Sequence, residues 1–342
     1  MELSTALEQL LNRQDLHEDQ MDAVMRKLMS GEATDAQIGA ILAALRMKSE
    51  SVPEIVSAVK VMRELAAPVV IEDKSHLIDT CGTGGDGAST FNISTASAFV
   101  VAAAGGRVAK HGNRSFSSKS GSADVLEAAG VNLALTPEQV AECVNEIGVG
   151  FMFAPSHHSA MKHVIGARKE MGVRTLFNML GPLTNPAGAP YQVIGVFNKD
   201  LGPVFAEVLQ RLGSKHVMVV CAEDGLDEIS IASETYVAEL KDDEISQWKI
   251  DPFDYDMDHP DLSELKVESA QESLNIIHSV FANNDSAAKD IVCLNAGASI
   301  YVAGLADTYA DGVNMARKVI ADGLAKKKFN EFVEKTQSFS GH

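Results

Sequence analysis

The chain has 342 residues, 46% of them hydrophobic, and carries a formal net charge of −18. That much apolar material is ample for a large core and predicts two domains. So acidic a chain suits nucleic acid poorly, because phosphates need a basic face, and no charge-free apolar run reaches the length of a membrane span.

 The start, Met-Glu-Leu-Ser, lacks the basic-then-apolar order of a secretory signal, so none is expected. Cys81, Cys143, Cys221 and Cys293 show no Cys-x-x-Cys spacing, which predicts reduced thiols in a cytoplasmic protein rather than a disulfide frame or a zinc site.

Residues 1–70 read as helices only. Leu3, Leu7, Leu10 and Leu11 recur at helical spacing, as do Met21, Val24, Met25 and Leu28. Thr34 and Asp35 cap a run through Ile38, Ile41, Leu42 and Leu45, and Ser51 with Pro53 opens another through Ile55, Val59 and Met62. This predicts a small helical domain.

From residue 71 to 342 the pattern becomes strands alternating with helices. Strands are expected at 76–79, 107–110, 150–153, 191–196, 216–221 and 235–240, with a helix over 93–104. Alternation of this kind predicts an α/β domain with a mostly parallel sheet covered on both faces. Residues 156–185 look helical again and are expected to return to the first domain. Residues 241–272, rich in Asp, Glu and Pro, read as exposed surface, followed by closing helices around 270–282 and 312–324.

The stretch Asp79-Thr-Cys-Gly-Thr-Gly-Gly-Asp-Gly-Ala-Ser-Thr-Phe-Asn-Ile-Ser94 contains G-x-G-x-x-G at Gly82, Gly84 and Gly87. Three features oppose a nicotinamide fingerprint. Polar, turn-prone residues follow the third glycine where a helix should already run. Lys110-His-Gly-Asn-Arg114 stands about where an acidic ribose ligand is required. Asp86 within the loop repels a pyrophosphate unless a cation intervenes. A Walker loop is excluded because no Gly-Lys-Ser/Thr ends the run.

The same residues suit a different phosphate ligand. The glycines admit close approach, and Asn92, Ser94 and Thr95 stand at a helix start, where free N–H groups favour anions. Lys110, Asn113 and Arg114, then Ser115, Ser117, Ser118, Lys119 and Ser120, follow the next strand. Either loop alone is compatible with a solvated turn; together, after consecutive strands, they predict a site for several phosphates. Asp227 and Glu228, just past another strand, offer the hard carboxylates that suit magnesium carrying waters and phosphates.

With Asp79–Asp86, Asn92–Thr95, Lys110–Ser115, Phe177–Pro186 and Gly225–Glu228, the chain resembles the anthranilate phosphoribosyltransferase family over essentially its whole length. The resemblance implies a helical domain and a larger α/β domain of nucleoside phosphorylase-like type, with the active site at the hinge and a homodimer formed through the helical domain. It implies transfer of the phosphoribosyl group of 5-phosphoribosyl 1-diphosphate to the amine of anthranilate, in tryptophan biosynthesis. By motif position, the donor would be held by Gly82, Gly85, Asp86, Thr90, Asn92, Ile93, Ser94, Thr95, Lys110, His111, Gly112, Asn113, Arg114, Ser115, Ser117, Ser118 and Ser122. Anthranilate would meet Asn113, Arg168 and the backbone at Gly82. Two Mg2+ ions would bind, one to Ser94 and Glu228, the other to Asp227 and Glu228. No dedicated general base is expected, since an aromatic amine needs little deprotonation; Lys110 and magnesium would stabilise the departing diphosphate.

Three rivals remain at this level. A nucleoside phosphorylase would share the glycine loop but needs no Asp227–Glu228 pair. A related transferase would use another acceptor, and a non-catalytic nucleotide binder would hold the donor without turnover. His157, His158 and His163 are read as capping or wall residues, because adjacent histidines face apart on a helix.

Overall fold

The computed structural model describes residues 1–84, 87–115 and 119–339. Gly85, Asp86, Ser117 and Ser118 of the expected donor site therefore lie outside the described residues.

Four helices open the chain: α1 (Leu3–Leu11), α2 (Glu18–Ser30), α3 (Asp35–Lys48) and α4 (Val52–Leu65). The start of α3 follows from its sequence. Thr34 Oγ1 accepts from the Gln37 N–H at 3.3 Å while Gln37 Oε1 accepts from the Thr34 N–H at 3.0 Å, a reciprocal cap that satisfies two otherwise orphaned donors.

The α/β part follows with β1 (Leu77–Gly82), α5 (Ile93–Ala103), β2 (Arg107–Gly112), α6 (Ser122–Ala128), α7 (Pro137–Ile147) and β3 (Val149–Phe153). The return segment is broken rather than continuous: α8 (Ala154–His157), a 3₁₀ turn over Ser159–His163, α9 (Ile165–Met171) and α10 (Leu176–Leu183). Gly172, at φ +61°, ends α9 in the left-handed conformation that glycine adopts without strain. Then come β4 (Tyr191–Gly195), α11 (Leu201–Arg211), β5 (His216–Ala222), β6 (Thr235–Lys241) and β7 (Glu244–Ile250). The chain closes with α12 (Ala270–Phe281), α13 (Ala287–Val302), α14 (Tyr309–Ala321) and α15 (Leu324–Ser338).

The sheet order is β3-β2-β1-β4-β5-β6-β7. The first five strands pair in parallel, and β6 and β7 add an antiparallel edge. The exposed-surface reading of 241–272 needs correction, because β7 lies within it and Met257, Leu265 and Val267 are buried.

Alternation along β5 separates two cores. Val217, Val219 and Cys221 join one cluster, while Met218, Val220 and Ala222 join the other. The first cluster also takes in α1–α4, α9, α10 and α11. The helical bundle is thus continuous, through α4 on α11, with one face of the sheet. The second cluster holds α5, α12, α13 and α15 against the other face. There Phe99 meets Phe281, Phe329 and Phe332 at ring-centroid distances of 6.2, 4.8 and 5.6 Å.

Candidate active site

β2 and β3 lie on one side of β1, and β4 and β5 on the other. Where strand order reverses in an open parallel sheet, the loops leaving the carboxyl ends part and open a crevice. The loops after β1, β2, β4 and β5 all meet there.

The loop after β1 is shaped by close approach. An added Cβ at Gly82 would meet Asp227 Oδ2 at 2.6 Å, and one at Gly195, its partner on β4, would meet the Asp227 carbonyl oxygen at 1.5 Å. At Gly195 only glycine lets the segment after β5 lie across the strand ends, while at Gly82 a side chain would push the Asp227 carboxylate aside. Gly84 has φ +67°, and its N–H donates to Asp227 Oδ2 at 2.7 Å. Further along, the Phe91 N–H donates to the Leu265 carbonyl at 2.8 Å and the Val267 N–H to that of Ser89 at 2.9 Å, so Thr90 sits in a fastened, strand-like stretch.

Several expected donor residues have structural engagements of their own. Asn92 is the N-cap residue of α5. Its Oδ1 accepts from Ser120 Oγ at 2.9 Å and Ser273 Oγ at 2.7 Å, and its Nδ2 donates to the Ser120 carbonyl at 3.2 Å. The side chain thus ties the loop after β1 to the loop after β2 and to α12. Ile93 is buried and its N–H donates to the Phe91 carbonyl at 2.8 Å. Ser94 and Thr95 then occupy the first turn of α5, whose amides have no intrahelical acceptor.

Lys110 is buried near the end of β2, with its Nζ donating to the Thr80 carbonyl and, at 3.1 Å, to Ser94 Oγ. Its charge therefore sits beneath the glycine loop at the head of α5. Fully buried Asp79 accepts from the His111 N–H at 3.0 Å; burial pushes its carboxyl pKa up, against the pull of Lys110.

The loop after β2 folds back on α6. Asp124 Oδ2 accepts from the N–H groups of Ser115 (3.0 Å) and Gly121 (2.8 Å), and the Asn113 carbonyl accepts from Ser122 Oγ at 3.3 Å. Gly112 is packed so closely that a Cβ would lie 2.2 Å from Ser122 Oγ. The Arg114 guanidinium turns to Asp124 and Glu127 of α6, at 3.1 and 2.7 Å, so it braces the loop from outside.

Of the carboxylates after β5, Asp227 and Glu228 lie near the end of β1. Asp227 rests against Gly82 and Gly84, and Glu228 helps push the Cys81 thiol pKa well above its ordinary value, after burial and Asp79.

On the helical side, Arg168 of α9 lies over the Phe177 ring, 5.2 Å from its centroid. Burial pulls its pKa down, and it has no carboxylate within ion-pair distance among the described residues. From Phe177, α10 runs to the strand ends, where Cys81 Sγ lies 3.9 Å from the Pro182 carbonyl. His111 and His158 face each other at 5.1 Å between ring centroids. Burial holds both neutral, at pKa values of about 3 and about 4. His157 instead clasps the interdomain segment: its Nδ1 lies 3.0 Å from the Ala67 carbonyl, and its own carbonyl accepts from the Ala67 N–H at 2.8 Å.

Two bracing residues were not legible at the motif level. Ser273 on α12 holds Asn92, and Asn295 on α13 holds the segment after Glu228. The available signal for Asn295 was an amide within the apolar run Ile291–Ile300.

Family models cover both parts of the chain. A glycosyl transferase family helical bundle domain matches residues 4–66, and a glycosyl transferase family a/b domain matches residues 74–326. The anthranilate phosphoribosyltransferase of Hydrogenovibrio crunogenus is 71% identical over 340 residues, 99% of this chain and 100% of that protein. The chain belongs to the anthranilate phosphoribosyltransferase family. The corresponding protein of Ectopseudomonas mendocina is 57% identical, over 99% of this chain and 98% of its own. The crystal structure of the Thermus thermophilus member superposes with a TM-score of 0.91 at 39% identity, covering 97% of this chain and 99% of that one. A Saccharomyces cerevisiae member, solved in complex with PRPP and Mg, has a TM-score of 0.90 at 24% identity, covers 98% of each chain, and speaks for the fold.

Proposed function

We infer that the chain transfers the phosphoribosyl group of 5-phosphoribosyl 1-diphosphate to the amine of anthranilate, giving N-(5-phosphoribosyl)anthranilate and diphosphate in tryptophan biosynthesis. The observation that carries the acceptor assignment is Arg168, partly desolvated, stacked on Phe177 and without a carboxylate partner among the described residues. A planar guanidinium in that state is suited to grip a small aromatic carboxylate.

The donor lies in the crevice over β1 and β4. Gly82 and Gly84 let its phosphates approach the backbone, and the first-turn amides of Ser94 and Thr95 face the developing negative charge. Lys110 adds a fixed cation at the head of α5. Asn113 and the backbone at Gly82 border the acceptor. Thr90, Ile93, Gly112, Arg114, Ser115 and Ser122 form or brace the loops, together with His111 as a neutral wall. Gly85, Asp86, Ser117 and Ser118 complete the donor set by motif position.

The metal assignment fits the donor chemistry. Ser94, Asp227 and Glu228 present oxygen ligands only. No group of three or more His, Cys, Asp or Glu able to hold a metal occurs among the described residues. Mg2+ needs only one or two carboxylates when phosphates and waters complete its shell. When bound, it supplies positive charge at the diphosphate oxygens. We assign two ions, one at Ser94 and Glu228 and the other at Asp227 and Glu228.

As C1 of the ribose loses diphosphate it gains cationic character, and the amine of anthranilate, held through its carboxylate at Arg168, attacks it. An arylamine nitrogen releases its proton readily after attack, so no strong base is required. His111, neutral with a pKa of about 3, has no need to accept it.

We also assign residues 1–70 and 156–185 to the helical domain and the rest of 71–342 to the α/β domain, with the cytoplasm as the working compartment. No helix of the described residues is long and apolar enough to cross a membrane. A homodimer through the helical domain is supported by Leu11 on α1 and Met47 on α3, which stand 68% and 75% exposed.

Product analysis separates this reading from its rivals. With donor, anthranilate and magnesium, chromatography should recover N-(5-phosphoribosyl)anthranilate and diphosphate in equal amounts. Phosphorolysis of a pyrimidine nucleoside in place of that product would assign the crevice to the nucleoside phosphorylase chemistry.

A further inference from the structure

The segment that carries Asp227 and Glu228 belongs to no helix or strand, yet it has to hold two carboxylates at a fixed place. Asp227 is fastened on one side, through Oδ2, by the Gly84 N–H. Ile229, on the other side of Glu228, is fastened from a distant helix. Asn295 Oδ1 accepts from the Ile229 N–H at 2.9 Å, and Asn295 Nδ2 donates to the Ile229 carbonyl at 2.9 Å. The amide therefore grips both backbone polar groups of one residue, as a neighbouring strand would. Its second Nδ2 hydrogen donates to the Ile291 carbonyl, also at 2.9 Å, which fixes the side chain against α13.

This grip is set in a rigid surround. Asn295 is 3% exposed, Ile229 is fully buried, and α13 is buried along most of its length. Within the segment, Asp224 Oδ1 accepts from the Leu226 N–H at 3.1 Å and Asp224 Oδ2 from Ser230 Oγ at 2.5 Å, while the Ser230 N–H donates to Thr235 Oγ1 at 3.1 Å. Asp224 and Ser230 give the segment its shape. Asn295 gives it its position relative to the sheet.

We propose that Asn295 is a positioning residue for the Asp227–Glu228 pair, acting through the Ile229 backbone to hold the magnesium-dependent part of the donor site in register. The proposal rests on the function inferred above. Outer residues that orient ligating carboxylates affect metal affinity without touching the ion. Asn295 does so through the main chain, which moves Glu228 and Asp227 together.

The test compares the parent with Asn295→Ala and with Ser299→Ala. Ser299 is an equally buried polar residue one turn further along α13, whose hydroxyl donates to the Asn295 carbonyl. Calorimetric titration of 5-phosphoribosyl 1-diphosphate, with and without Mg2+, is paired with thermal melting and the KM for anthranilate. Asn295→Ala should lower magnesium-dependent donor affinity about 10- to 100-fold, leaving metal-free donor affinity and the anthranilate KM within about twofold. Ser299→Ala should bind as the parent does. Retained donor affinity in Asn295→Ala, equal losses for donor and anthranilate, or the same loss in Ser299→Ala would each overturn the proposal. If Asn295→Ala does not fold, Asn295→Ser is held to the same criteria. A parent lacking magnesium-dependent donor binding would instead overturn the inferred function, and this role with it.

Discussion

Gly195 carries the tightest steric demand at the crevice. A methyl there would sit 1.5 Å from the Asp227 carbonyl oxygen, so Gly195→Ala must displace the segment after β5. A misplacement of about 1 Å costs on the order of 100-fold in turnover, and kcat/KM for the donor should fall by roughly that much. Arg168→Ala acts elsewhere. It should raise the KM for anthranilate about 10- to 100-fold, the value of a charge-assisted hydrogen bond, with donor KM nearly unchanged. Steady-state kinetics with each substrate varied in turn checks both; equal losses for the two substrates in Arg168→Ala would remove it from the acceptor site.

The His111–His158 pair makes stability depend on pH. Both folded pKa values, about 3 and about 4, lie below the ordinary 6.5, so the unfolded chain binds protons that the native one refuses. Stability should therefore fall as pH drops below about 6.5, by up to about 1.4 kcal/mol per pH unit for each imidazole. Thermal melting between pH 7 and 5 should show a flatter profile for His158→Asn than for the parent. Superimposable slopes would show that the imidazole titrates normally in the fold.

Individual elements were legible where local rules act alone. The cap of α3 at Thr34 spells out a helix start, and runs such as Val217–Cys221 announce buried strands. The glycine loop and Lys110–Ser115 were legible because the chemistry concentrates in short stretches. β7 was not, since its residues are mostly exposed and lack the apolar alternation of a half-buried strand. Nor was α13, which is buried nearly all round and so has no amphipathic period. Asn295 and Ser273 act across large sequence separations, and spacing cannot reveal their partners. The aromatic cluster on α5 allows a test at this scale. Phe99→Ala removes the ring shared by α12 and α15 and should cost about 3–5 kcal/mol in denaturant unfolding. A loss under about 1 kcal/mol would mean that the cluster does not hold these helices together.

The molecule as a whole is strongly acidic, with a net charge of −18, yet the inferred donor is a polyanion. The fold resolves this locally, by setting Lys110 and the head of α5 beside the Asp227–Glu228 segment at the strand ends. The proposed magnesium would then serve the charge balance as well as the chemistry. The bundle that faces this crevice also exposes Leu11 and Met47. Charging both, as Leu11→Lys with Met47→Lys, should convert the proposed dimer to a monomer in sedimentation equilibrium, and an unaltered mass would place the contact elsewhere.

The most direct measurement follows anthranilate fluorescence with purified protein and 5-phosphoribosyl 1-diphosphate, with and without magnesium. A steady fall is expected with the metal, matched by diphosphate release, and none after chelation. An equal fall without magnesium, or tight donor binding with no fall at all, would contradict the inferred function.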